Sequence, residues 1–168
     1  MEKEKTIRQI VAGIEKGRLP ETKETLMLQD FCGDSVAHIL ASRSDKTGWT
    51  TEDKEILMLQ DKAGVSVAHN LAQNSGETGW ATEDKEILML KGEYGYSVAR
   101  WLAIRSGETG WVTEDKEILL LQDKEEISVA HELAYSHPTW TTSDTELLSL
   151  MNKWGNTVKN TLIIRGRI

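Results

Sequence analysis

Apolar positions recur along this chain in helical spacing, broken at regular intervals by turn residues. In residues 2–17, Ile7, Ile10, Val11 and Ile14 fall at i, i+3, i+4 and i+7, with Glu and Lys between them. That stripe predicts an amphipathic helix. Gly17 ends it and Pro20 blocks continuation. Further on, Val67, Ala68, Leu71 and Ala72 share one helical face. Ser66 suits the N-cap, because its hydroxyl can accept a backbone N–H, and the helix is expected to run to about Gln73. Alanine at two of those four positions lets neighbouring helices approach closely. A second, short helix is expected from Thr51, with Glu52 and Asp53 in its first turn, where acidic groups favour the positive end of the helix dipole. It runs into Ile56-Leu57-Met58-Leu59. The chain then becomes extended after about Leu57 and enters the turn Asp61-Lys62-Ala63-Gly64, although periodicity alone leaves Met58–Gln60 open between helix and strand.

The same block returns. Trp49, Trp80 and Trp111 stand 31 residues apart, and Trp140 follows after 29. Thr51–Leu59 is nearly copied as Thr82–Leu90 and Thr113–Leu121. A fainter copy precedes these, with Leu26-Met27-Leu28-Gln29-Asp30 and Ser35-Val36-Ala37-His38, and a decayed copy closes the chain. A fixed period in this range signals a stacked array whose terminal members are atypical. The reading is one domain over 1–168: a capping helix at 2–17, then copies at 18–48, 49–79, 80–110, 111–139 and 140–168. Gly33, Gly64, Gly95 and Gly155 share one turn position and are expected at positive φ, while Glu126 breaks that pattern. Ser75 to Gly79 is expected to be a loop, and the tryptophan after it a buried spacer between copies.

Asp61-x-x-Gly64-x-Ser66-Val67-Ala68-His69-x-Leu71-Ala72 resembles the first half of an ankyrin repeat. The likeness returns in residues 30–41 and, more weakly, in 95–103 and 128–134. The resemblance implies an all-α solenoid of about five short helix-turn-helix repeats. It also implies that Ser66 and His69, with Ser35/His38 and Ser128/His131, bond each other and tie loops together. Arg100 and Asn160 replace the histidine in the other two copies, valine replaces the family's proline, and the second half is shortened.

Charge narrows the function classes. The net charge of −7 leaves nucleic-acid binding without its electrostatic drive, despite Arg165 and Arg167 near the end. The single cysteine, Cys32, excludes an internal disulfide and suggests a reducing, cytoplasmic setting. No membrane-spanning stretch or signal-peptide pattern is read. His38, His69 and His131 occupy one repeat position, so stacking would hold them roughly 10 Å apart, too far to share a metal ion. The carboxylates Glu52, Asp53 and Glu55 recur in register, which argues for helix starts over one tuned active site. No catalytic residue, metal ligand or cofactor is assigned, and the chain is not expected to be an enzyme.

Variation between copies is the functional signal. Turn positions vary between copies, and so does one face of the first helix: Ile39, Asn70, Trp101, Glu132, Thr161, then Ser42, Gln73, Ile104, Tyr135, Ile164. A fixed core with variable turns is built like a recognition surface. Tyr94, Tyr96, Arg100, Trp101, Ile104 and Arg105 collect in the third copy, extended by Tyr135, and are of the types enriched at binding hot spots. They are the expected docking site for a protein partner. Self-association through the apolar end Thr161-Leu162-Ile163-Ile164-Arg165 is the alternative, and an enzyme or metal site on a concave face is the weaker third reading.

Overall fold

The computed structural model describes residues 2–14, 16–18, 20 and 22–168, without the side chains of residues 2–6 and 8. Among the described residues every extended element is helical, and isolated β-bridges replace strands. The chain falls into two compact units, Met1–Trp80 and Ala81–Ile168. The first contains α1 (Glu2–Ile14), α2 (Lys23–Leu26), α3 (Val36–Ser42), α4 (Ser44–Thr47), α5 (Lys54–Leu57), α6 (Val67–Gln73) and α7 (Ser75–Thr78). The second contains α8 (Lys85–Leu88), α9 (Val98–Ile104), α10 (Ser106–Thr109), α11 (Lys116–Leu119), α12 (Val129–Ser136), α13 (Thr145–Ser149) and α14 (Val158–Ile164).

The stripe in the first segment does form a helix. It stops at Ile14, short of the expected residue 17; residue 15 lies outside the described residues, and Gly17 takes φ 77°. In the first unit α1 packs on α3, where Ile14 joins Val36 and Leu40 in a cluster bordered by Ile10, Leu26, Leu28 and Trp49.

Three of the first helices, α3, α6 and α12, start in the same way. Ser66 Oγ accepts the His69 N–H at 3.3 Å, and the backbone N–H of Ser66 reaches His69 Nδ1 at 3.1 Å. The same reciprocal cap is made by Ser35 with His38 and by Ser128 with His131. Because a backbone N–H points at Nδ1, that nitrogen accepts and Nε2 carries the proton. His38 Nε2 therefore donates to Val65 O at 3.0 Å, and His131 Nε2 to Asn156 O at 3.1 Å. The inward faces are closed: Val67, Ala68, Leu71 and Ala72, and their counterparts in the first, third and fourth copies, have no exposed surface.

The short helix starts later than expected. Asp53, not Thr51, is its cap, accepting the N–H groups of Glu55 and Ile56, while Thr51 Oγ1 accepts the Asp53 N–H. One turn ends at Leu57, and Gln60 then pairs with Ser66 in an isolated antiparallel bridge, so the chain is extended there. Within each unit, lysine at the first position of this helix reaches the corresponding helix of the following copy. Lys23 Nζ lies 2.8 Å from Asp53 and 2.7 Å from Glu55, and Lys85 Nζ lies 2.9 Å from Asp115 and 2.6 Å from Glu117. Hydrogen bonds to Glu117 and then Asp115 hold the Lys85 ammonium above its ordinary pKa.

The segment expected to be a loop at Ser75 to Gly79 is a single helical turn, α7, closed by Gly79 at φ 70°. Its counterparts α4 and α10 end on Gly48 and Gly110 in the same left-handed conformation. Four residues are too few for a period of 3.6 to show in sequence. Trp80 and Trp111 are buried, with Trp80 Nε1 donating to Thr51 O at 3.2 Å; Trp49 and Trp140 are only partly covered. Among the described residues no helix is long and apolar enough to cross a membrane.

Candidate functional site

Three of the five exposed tips are each shaped by one carboxylate. Asp61 Oδ1 accepts the N–H groups of Ala63 and Val65, and Asp30 and Asp123 do the same in their copies. Asn152 substitutes in the last copy. The expected glycines lie at positive φ, and Glu126 adopts φ 60° itself, so this turn keeps its geometry and carries the strain. Neighbouring tips within each unit are joined through the backbone. Lys62 N–H donates to Cys32 O at 3.1 Å, Lys124 N–H to Tyr94 O at 3.2 Å, and Lys153 N–H to Glu125 O at 3.1 Å.

The third copy departs from this plan. Gly92 stands where the others have Asp or Asn, so the side-chain acceptor is missing. The tip winds instead into a 3-10 turn at Glu93–Gly95, with Tyr94 at φ 62°. That conformation leaves Tyr94 57% exposed. A hydrogen bond to Glu93, with its charge, pushes the Tyr94 phenol up, and the Lys124 ammonium sits 5.3 Å from the ring centre.

Four of the expected site residues come together here. Tyr94 and Tyr96 have ring centres 6.4 Å apart, and Tyr96 meets Trp101 edge-on at 5.7 Å. The Arg100 guanidinium lies 3.9 Å from the Tyr96 ring centre. Arg100 itself is buried. Its Nη1 pairs with Asp123, while Nε and Nη2 donate to Glu132 Oε1 at 3.1 and 2.9 Å. Burial raises the Glu132 pKa, and the Arg100 charge works against that rise. Ile104 and Arg105 continue the α9 face, both partly exposed, with Arg105 Nη1 3.5 Å from Glu108. Tyr135 stands apart on α12, 60% exposed, with the Arg165 guanidinium 4.4 Å from its ring centre.

A groove of about 320 Å³ opens between α12 and α14, walled by Ile127, Tyr135 and Ile164, with Asn156, Asn160 and Arg165 among its polar lining. No protein-family model and no curated protein matches this chain.

Asp123, Glu132 and Lys124 were not among the residues expected at this site. The involvement of Asp123 and Glu132 follows from Arg100 replacing histidine, since a longer cationic side chain requires acceptors that imidazole does not, whereas Lys124 enters through the Tyr94 ring. The substitution was visible in the sequence, as was Gly92. The histidines contribute to caps, and among the described residues no cluster of three His, Cys, Asp or Glu side chains could hold a metal ion.

Proposed function

We propose that this chain is an ankyrin-like solenoid of about five short repeats, closed at its start by α1, which recognises a partner protein through its tips and first-helix faces. One observation carries the reading. Val36, Leu40 and their counterparts in all five copies are fully buried, whereas Ile39, Asn70, Trp101, Glu132 and Thr161, which differ in every copy, are partly exposed. Packing constrains the first set, while the second keeps exposed surface, with Glu132 also held by Arg100 and Asn70 donating to His38 O. The exposed aromatic ring of Tyr94, backed by Tyr96 and Trp101, is the chemistry that anchors protein interfaces. The reading assigns no catalysis, cofactor, nucleic acid or membrane. Its single exposed cysteine, Cys32, suits a cytoplasmic setting.

The test is affinity capture from a lysate with the intact chain and a Tyr94→Ala/Tyr96→Ala/Trp101→Ala variant, both checked by circular dichroism. A specific protein held by the first and released by the folded variant is the expected result. Equal capture by both would refute the site.

Self-association is the second reading, favoured by Ile163. It is half-exposed at a position where the four other copies bury alanine completely. Sedimentation velocity over a concentration series decides it: a dimer abolished by Ile163→Asp supports this reading, and a monomer throughout removes it.

A further inference from the structure

The space between neighbouring first helices is used in two ways in the second unit. Between α9 and α12 it is filled from within, because Arg100 lies across it, held by Asp123 and Glu132 beneath Tyr96. At the corresponding positions of the next pair, the chain has Asn152, Thr161 and Ile127. These side chains carry no charge, and His131, in the place of Arg100, turns instead to Asn156 O. The α12–α14 groove therefore stays open, with a volume of about 320 Å³, and the one carboxylate in its lining, Glu132, is already held by Arg100. That volume is at the lower end of small-ligand sites. It suits one large side chain with its flanking backbone. A flat bilayer cannot enter a concave groove of this size.

Charge specifies the occupant. Residues 147–168 contain Lys153, Lys159, Arg165 and Arg167 and no acidic residue, within a chain of net charge −7. The nearby carboxylates are largely committed: Glu132 to Arg100, and Glu125 to Lys153 at 2.6 Å, leaving Glu126 exposed. Arg165 stands at the groove, stacked on Tyr135, and a guanidinium so placed can still bind a carboxylate with its N–H donors. The Asn156 and Asn160 carboxamides offer both a donor and an acceptor, the complement of a peptide unit.

We infer that this groove receives an acidic peptide segment of the partner, with a large apolar side chain against Tyr135 and Ile164 and a neighbouring carboxylate on Arg165. This deepens the recognition reading and rests on it.

The test uses the full chain and two fluorescein-labelled peptide pools, read by fluorescence anisotropy. One pool fixes Leu or Phe between Asp and Glu; the other fixes the same residues between Lys and Arg. Phosphatidylserine vesicles form a third arm. Arg165→Glu and Ile164→Ser change exposed side chains, Ile164 being 82% exposed, so the fold is expected to survive and circular dichroism checks it. The acidic pool should bind, weaken as salt rises from about 50 to 300 mM, and lose at least about tenfold in affinity with Arg165→Glu, as expected for a charge-assisted contact. Equal or better binding of the basic pool, binding of vesicles alone, no binding of either pool, or indifference to Arg165→Glu would each overturn the inference. In the lysate experiment, a partner released by the Tyr94/Tyr96/Trp101 variant but retained by Arg165→Glu sinks the groove and leaves the recognition reading standing. A partner retained by both sinks the recognition reading.

Discussion

Replacing Arg100 by methionine keeps the stem and removes the charge. The Arg100 side chain is 7% exposed, that of Asp123 0% and that of Glu132 15%, so the cluster is screened little by water. Removing one partner from a buried ion pair costs about 3–5 kcal/mol. A whole domain is held by only about 5–15 kcal/mol. Asp123 would keep the N–H groups of Glu125 and Ile127, whereas Glu132 would lose both of its bonds to Arg100. The expected cost is therefore at the low end, about 3 kcal/mol. The pH dependence has a definite sign. Burial holds the Glu132 pKa up, the Arg100 charge opposes it, and Asp123 adds to it. Without Arg100 only the raising influences remain. A carboxyl with a raised folded pKa contributes stability that is complete below its unfolded value, about 4.3, and is lost as pH rises through the folded value. The Arg100→Met deficit should be largest at pH 7 and shrink near pH 4.5. Urea unfolding followed by circular dichroism at both pH values measures it. Arg100→His with Glu132→Asn transplants the His38 and Asn70 pairing and should recover to within about 1 kcal/mol of the parent, because it replaces the stranded charge with neutral groups. A deficit below about 1 kcal/mol at pH 7, or equal deficits at the two pH values, would refute this account.

Glu126→Gly should gain roughly 1 kcal/mol by relieving a left-handed non-glycine residue, and Gly33→Ala should lose about 1–2 kcal/mol, since its Cβ would meet Lys62 N at 3.1 Å; urea midpoints check both. Ser66→Ala removes the acceptor for His69 N–H and should cost about 1–2 kcal/mol, read from thermal melts. Burial holds the His131 pKa below its usual value. Its contribution is therefore complete above about pH 6.5 and is lost as pH falls through the folded value. His131→Gln should flatten the fall in urea midpoint between pH 7 and pH 5, and an unchanged slope would count against the neutral-imidazole cap.

Long-range order was legible because it is repeated. Ser66, His69 and the apolar face of α6 announce a helix start, and their copies show which features are structural. The single turns α4, α7 and α10 were not legible, because neither Ser-Asp-Lys-Thr nor Ser-Gly-Glu-Thr carries an apolar stripe and each turn is set by its closing threonine and glycine, Thr78 and Gly79 in α7, after folding. The start of α5 was misplaced because both Thr51 and Asp53 can cap. Only geometry shows them acting in series, the threonine holding the N–H of the aspartate that caps the helix. At the candidate site the aromatic cluster was visible as composition. That Arg100 faces inward was not, since its acceptors Asp123 and Glu132 lie 23 and 32 residues away.

The connector before Trp140 is two residues shorter than the others, yet the ion-pair junction downstream is kept. There α12 runs on to Ser136, the extra helical turn disappears, and Lys116 still meets Asp144 at 2.8 Å and Glu146 at 2.7 Å. The junction chemistry is thus insulated from the length of the linker that feeds it. Such insulation makes the connector, rather than the tips or the caps, the natural point for insertion. A tag or a reporter grafted between Ser136 and Thr139 is expected to leave the ion-pair junction of Lys116 with Asp144 and Glu146 in place.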